Sequence, residues 1–238
     1  MKTSKVYLFY LVLFFLAISC RKIQPETQVN DLKNDTIAVN IDSTIVTSNE
    51  ETIKLKELQQ RKLNKEQQIA SALQAAPEES RSGAKVYGYD NNGNFTTLKE
   101  GNNKMICIAD DPKKDGFEVV SYHYDLEPYM ARGRALKAEG KSFAERRDIR
   151  EKEAVDSTLK MPETPSTLHI LYGENGYFDI DSMKVKNAKY RYVVYIPFAT
   201  QESTGLSLKP NAPGHPWLMF PGKANAHIMI TPPTNQDE

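Results

Sequence analysis

Cys107 stands in "KMICIADDP", residues 104–112, and is the one cysteine that stays inside the folded part once Cys20 is set aside. A thiolate at that position would be a nucleophile, with a histidine as its base. His123, His169, His215 and His227 are the four candidates for that partner. A reactive cysteine needs its thiolate favoured by a helix N-terminus, a cation or an imidazole. None adjoins Cys107 in the sequence. In "KMICIAD" alternation puts Met105, Cys107 and Ala109 on one strand face and Ile106 and Ile108 on the other. Both faces are apolar, which predicts a central strand with Cys107 packed as a small hydrophobe.

Other chemistries find weaker footholds. Neither a papain-like nor a caspase-like signature surrounds Cys107. "GLSLK" around Ser207 lacks the second glycine of the G-x-S-x-G elbow. No H-E-x-x-H pattern and no Cys/His zinc spacing occurs, so no metal site is expected. "DNNGN" has Gly93 at its fourth position, where a calcium loop needs glycine at the sixth. No Gly-rich phosphate loop is present, and no cofactor is expected. Glu118, Asp125 and Glu127 could form a carboxylate pair, although their default place is the surface. His123, His169 and His227 each alternate with apolar or small neighbours and are expected to be partly buried, hydrogen-bonded strand residues.

His215 differs, because it lies in the loop "KPNAPGHPW". Residues 199–216 form the longest irregular stretch expected within the domain, and loops of that length are usually functional or disordered. Pro210, Pro213 and Pro216 restrict the chain there. The stretch ends in Trp217, the single tryptophan. His227 opens the following strand. His215, Trp217 and His227 are therefore the expected lining of a ligand site, since such sites combine apolar walls with a few polar groups.

The elements that must position these residues follow from periodicity. From residue 49 to 80 a helix is expected, opened by the Ser48/Glu51 capping box and closed by Pro77. "KLKELQQRKLNKEQQ" within it is highly polar; it is either an exposed stalk or a helix packed by its second half alone. From Gly83 the period becomes two. "AKVYGYD" and "NFTTLKE" read as a hairpin joined at Asn92-Gly93, where both turn residues would need positive φ. "KMICIAD" and "FEVVSYHY" are the next strands. A helix from about Leu126 to Glu139 follows, and another begins at the Ser142/Glu145 capping box. "TLHILYGENGYFDID" reads as a second hairpin, "KYRYVVYIPF" as a strong strand, and "PWLMF" and "AHIMIT" as the last strands. This order predicts a single α+β domain over residues 81–232, with a largely antiparallel sheet and several flanking helices. Residues 233–238 are a polar tail.

The N-terminus carries an address. Lys2 and Lys5 precede an uncharged run from Val6 to Ile18, which ends in "AISC". That is the pattern of an export signal, and it is short for a membrane span. "LAISC" resembles the lipobox of bacterial lipoproteins. The resemblance implies that residues 1–19 are removed and that Cys20 carries the lipid. Arg21, not aspartate, follows Cys20. The expected place is thus the cell envelope, with the chain anchored in the outer membrane and facing the periplasm. Residues 20–48 are polar and read as a flexible tether, with a short strand near Thr36–Ile41 as the rival. Removing residues 1–19 takes two lysines and no acid, which leaves 29 basic against 31 acidic side chains. With no basic stripe, nucleic acid is not an expected partner. Lipidation of Cys20 would leave Cys107 without a disulfide partner.

Several stretches together resemble a family of uncharacterised secreted bacterial proteins. They are Ala75-Ala76-Pro77, "SGAKVYGYDNNGN", "LKEGNN", Cys107, Asp111-Pro112, "LEPYMARGRALK", "YVVYIPFATQESTGLS" and "AHIMI". The resemblance covers residue 65 to the end and implies one secreted domain without an assigned activity. The expected function is a membrane-anchored envelope lipoprotein that binds a small molecule or another envelope protein. The alternative is a hydrolase or redox-active enzyme using Cys107 with a histidine.

Overall fold

The computed structural model describes residues 50–233, apart from 56 and 59–61. The expectations for the signal peptide, Cys20, the tether, the Ser48 cap and most of the polar tail fall outside these residues. Residues 50–55, 57 and 58 are helical, yet the helix does not run on to Pro77. A new helix, α1 (Lys65–Leu73), starts after Asn64. The Asn64 side chain accepts the Gln67 N–H at 2.9 Å, and Gln67 Oε1 accepts the Asn64 N–H at 3.0 Å. This reciprocal cap lies in the polar stretch and restarts the helix there. The single helix expected over 49–80 is corrected accordingly.

Ten strands follow among the described residues. β1 (Lys85–Tyr89), β2 (Phe95–Lys99), β3 (Met105–Ile108), β4 (Phe117–His123), β5 (Ser166–Gly173), β8 (Lys189–Tyr195), β9 (Trp217–Met219) and β10 (His227–Ile230) form one sheet. Its order is β2-β1-β3-β4-β5-β8-β10-β9. Every pair is antiparallel except β1 with β3. The chain therefore holds one α+β domain with a largely antiparallel sheet. The parallel pair depends on Gly101, where a Cβ would lie 2.4 Å from the Lys85 nitrogen. Only a glycine lets the two backbones come that close.

The first hairpin forms as expected, with a different turn. Only Gly93 has positive φ, and Asp90 organises the loop by accepting the Asn92 and Asn94 N–H groups at 2.8 and 2.9 Å. The second expected hairpin does not form. β5 pairs along its length with β8, so the segment after Gly173 is diverted. It becomes β6 (Tyr177–Asp179), which pairs with β7 (Lys184–Lys186) as a separate ribbon.

Two faces of the sheet are covered differently. α1 lies over Val86, Met105 and Cys107, and the β6–β7 ribbon places Phe178 against Phe117, Val119 and Leu171. Gln74, just past α1, joins the two covers. Its Oε1 accepts the Val185 N–H at 2.9 Å, and its carbonyl accepts Tyr190 Oη–H at 3.0 Å. Carbonyls at a helix end otherwise lack partners. On the other face, Leu126, which precedes α2 (Glu127–Ala138), and Met130 within it pack on Ile106, Tyr122, Leu168 and Val193. α3 (Phe143–Val155) opens with the Ser142/Glu145 capping box and is tied to α2 by the Arg132 guanidinium on Glu153, at 2.7–3.0 Å.

Candidate functional site

Cys107 is fully buried beneath α1, between Val86 of β1 and Ser121 of β4. Burial pushes its thiol up to about 12, against the weaker opposing pull of Lys99 and Arg81. The sheet register separates it from the imidazoles. His169 lies on the same face, with Ser121 of the intervening strand between them. Two strand spacings amount to about 10 Å, too far for a nucleophile–base pair. His123 sits diagonally across from Cys107, but its ring is engaged by the Asp125 N–H at 3.4 Å. His227 projects from the opposite face, beside Tyr195. At pH 8 a thiol of pKa about 12 is ionised in roughly one molecule in ten thousand. Native Cys107 is therefore expected to react with a thiol reagent roughly 1,000-fold more slowly than in the urea-unfolded chain. A chain with Cys20 replaced makes the comparison, and comparable rates in the two states would refute it. Cys107→Ser should cost about 1–3 kcal/mol, for a hydroxyl in an apolar site.

The three carboxylates do not share a site. Glu118 pairs with Lys114 at 2.9 Å, and Asp125 lies 3.4 Å from His123 Nδ1. Glu127 is held under α2 by Arg134 and Tyr122, each at 2.6 Å. Ser207 is a loop brace, its hydroxyl donating to the Lys209 carbonyl at 2.7 Å. Among the described residues no group of three or more His, Cys, Asp or Glu side chains converges to hold a metal ion.

The 199–216 segment is more ordered than a plain loop. It holds a short helix, α4 (Gln201–Thr204), capped by Thr200 and ended by Gly205 at φ 68°. Beyond it, residues 210–217 wrap against the exit of β10 and the start of β8. Together they enclose a cleft of about 420 Å³. His215 and Trp217 line it, with Lys189, Asn211, Thr231 and four prolines: Pro210, Pro213, Pro232 and Pro233. Gly214 has φ 76°, and a Cβ on it would meet Pro233 Cδ at 3.2 Å. The Leu218 N–H donates to the Ser207 carbonyl at 2.8 Å and holds the loop to β9.

His227 is not part of this cleft, which corrects its expected role. It is buried between the rings of Tyr195 and Phe220, with centroids 5.2 and 5.8 Å away. Its Nδ1 lies 2.8 Å from the Asn225 carbonyl. Burial lowers its pKa, against that hydrogen bond, so the ring is held neutral as an Nδ1–H donor. The reason lies in position along the strand. His227 opens β10, where it pairs with Tyr195 at the end of β8, whereas the cleft lies past the other end of β10, beside Lys189 at the start of β8. Lys189 and Thr231 were not foreseen in the cleft. Lys189 opens a strand 26 positions before His215 and Thr231 follows the end of another, and nothing local in the sequence joins them.

A second hollow, of about 260 Å³, lies between Tyr124, Asp125 and Pro128 on one side and Lys160, Pro162, Glu163 and Thr164 on the other. It carries charges of both signs and no buried polar group, and it is the smaller of the two. No protein-family model, curated protein or solved structure matches this chain.

Proposed function

We propose that this chain is a lipid-anchored cell-envelope protein, attached to the membrane through Cys20, whose domain binds a small molecule in the His215–Trp217 cleft. The observation that carries the reading is the cleft itself. It has the volume of a small-molecule site, and proline and indole walls stand beside a few polar groups. Two features support binding over catalysis: Cys107 is buried with a raised pKa, and of the imidazoles on its face His169 lies two strands away while His123 is engaged by the Asp125 N–H. Among the described residues no helix is long and apolar enough to cross a membrane. The proposed attachment is the lipid on residue 20, and several acyl chains on one residue suffice for stable anchoring. An envelope protein docking on the same loop is the other partner compatible with this reading.

Trp217 is the only indole, so its emission reports on the cleft without interference. In a screen of envelope metabolites, a true ligand should shift that emission, and the shift should be lost in His215→Ala while the fold persists. A confirmed ligand that binds His215→Ala and Trp217→Ala as well as the parent would place the site elsewhere. For the anchor, labelled palmitate should enter the parent chain and not Cys20→Ala; equal labelling of both would defeat it.

A further inference from the structure

We infer that the His215–Trp217 cleft selects an anion carried on a flat apolar body, such as an aromatic carboxylate or sulfonate. This rests on the reading of the cleft as the binding site. The polar side chains of its lining are rich in donors. Lys189 brings a positive charge, and none of the lining residues is acidic. Asn211 adds a side-chain amide, whose N–H groups are able to donate to an anion. His215 adds an imidazole, a further hydrogen-bonding group.

A further cation stands behind the first. Arg191 is two residues along β8 from Lys189, so both side chains leave the same face of the strand. Both rest on Tyr172: the Arg191 guanidinium lies 4.4 Å and Lys189 Nζ 5.4 Å from its ring centroid. Arg191 Nη2 donates to Tyr172 Oη at 2.6 Å, while its buried Nε has no hydrogen-bond partner. The ion pairs of the described residues engage neither Lys189 nor Arg191. One cation lining the cleft and one beside it, neither in an ion pair among the described residues, favour an anion there. The lining also includes the Trp217 indole and four proline rings, apolar surface that suits a planar hydrophobic body.

The test compares two ligands of nearly one shape that differ in charge: naphthalene-2-sulfonate and the neutral naphthalene-2-sulfonamide. Each is titrated calorimetrically into the full chain and into Lys189→Gln and Trp217→Ala. The sulfonate should bind roughly tenfold more tightly than the sulfonamide. Lys189→Gln should remove most of that preference and leave the sulfonamide unchanged. Trp217→Ala should weaken both; if that variant fails to fold, His215→Ala, at an exposed residue, takes its place. Equal affinities for the two ligands, with both weakened by Trp217→Ala, would overturn the anion inference and keep the cleft. No binding of either ligand, or binding that none of the substitutions alters, would overturn the cleft reading and this inference with it.

Discussion

Arg134→Ala is expected to cost about 3–5 kcal/mol of folding free energy, the largest loss foreseen for a single polar side chain here. Arg134 leaves α2 and enters the layer between helix and sheet. Its Nη2 donates to Glu127 Oε1 at 2.6 Å and its Nη1 to Tyr122 Oη at 3.0 Å. Tyr122 Oη in turn donates to Glu127 Oε2 at 2.6 Å, closing a triangle. The guanidinium also lies 5.3 Å from the Tyr87 ring centroid and 5.2 Å from that of Phe95. Both charged partners are largely covered, with side-chain exposures of 26% and 18%. Truncating Arg134 leaves the Glu127 carboxylate covered without its cation, and that uncompensated charge is the main source of the cost. It follows that removing the whole triangle should cost far less. In urea denaturation, Tyr122→Phe/Glu127→Leu/Arg134→Leu should recover most of the stability that Arg134→Ala loses. A triple variant less stable than Arg134→Ala would show that the triangle contributes net stability and that the uncompensated charge is not the cause.

Asp110→Asn should have an effect that changes with pH. Burial pushes the Asp110 carboxyl up to about 7, against a hydrogen bond from the Glu118 N–H and the charge of Lys114; Glu118 and Asp111 add to the rise. In the unfolded chain an aspartate titrates near 3.9, as an approximate reference. Between the two values the native state binds more protons than the unfolded one. Stability from this group is therefore full below about pH 4 and is lost as pH rises through about 7. The substituted amide does not titrate, and its oxygen can still accept the Glu118 N–H. The variant should match the parent near pH 4 and exceed it by about 2–4 kcal/mol at pH 8, with solvent screening holding the gain below the full shift. Unfolding midpoints at the two pH values decide the matter. An equal difference at both would mean that the effect is packing and not ionisation.

Local signals were legible and register was not. The Ser142/Glu145 cap, the burial of Cys107 and the strand content from Gly83 onward could all be read from neighbours within a few residues. The α+β class followed from element order alone. The break at Asn64 used the same capping chemistry, in a stretch whose uniformly helix-forming composition concealed it. The second hairpin failed because the choice of β5 partner is settled by β8, far along the chain. The same limit applied to the cleft. Its loop and Trp217 were legible from composition, whereas Lys189 entered, and His227 left, through pairings among β8, β9 and β10.

The strand order carries a consequence for how the chain is made. β1 to β4 are contiguous in sequence and occupy one half of the sheet. The partner for the open side of β4 is β5, which begins about 43 residues after β4 ends. At about 5–20 residues per second, the row of N–H and C=O groups along β4 waits roughly 2–9 seconds for its neighbour. That row belongs to a strand carrying Phe117, Val119, Val120 and Tyr122, the kind of edge that recruits other chains. α2 and α3 are synthesised within the same interval, and Leu126 and Met130 of the α2 segment can cover the Tyr122 face of β4 before β5 exists. The helical insertion thus covers one face of a nascent edge strand and leaves its hydrogen-bonding edge open, so the period of greatest aggregation risk falls between the last residue of β4 and the first of β5.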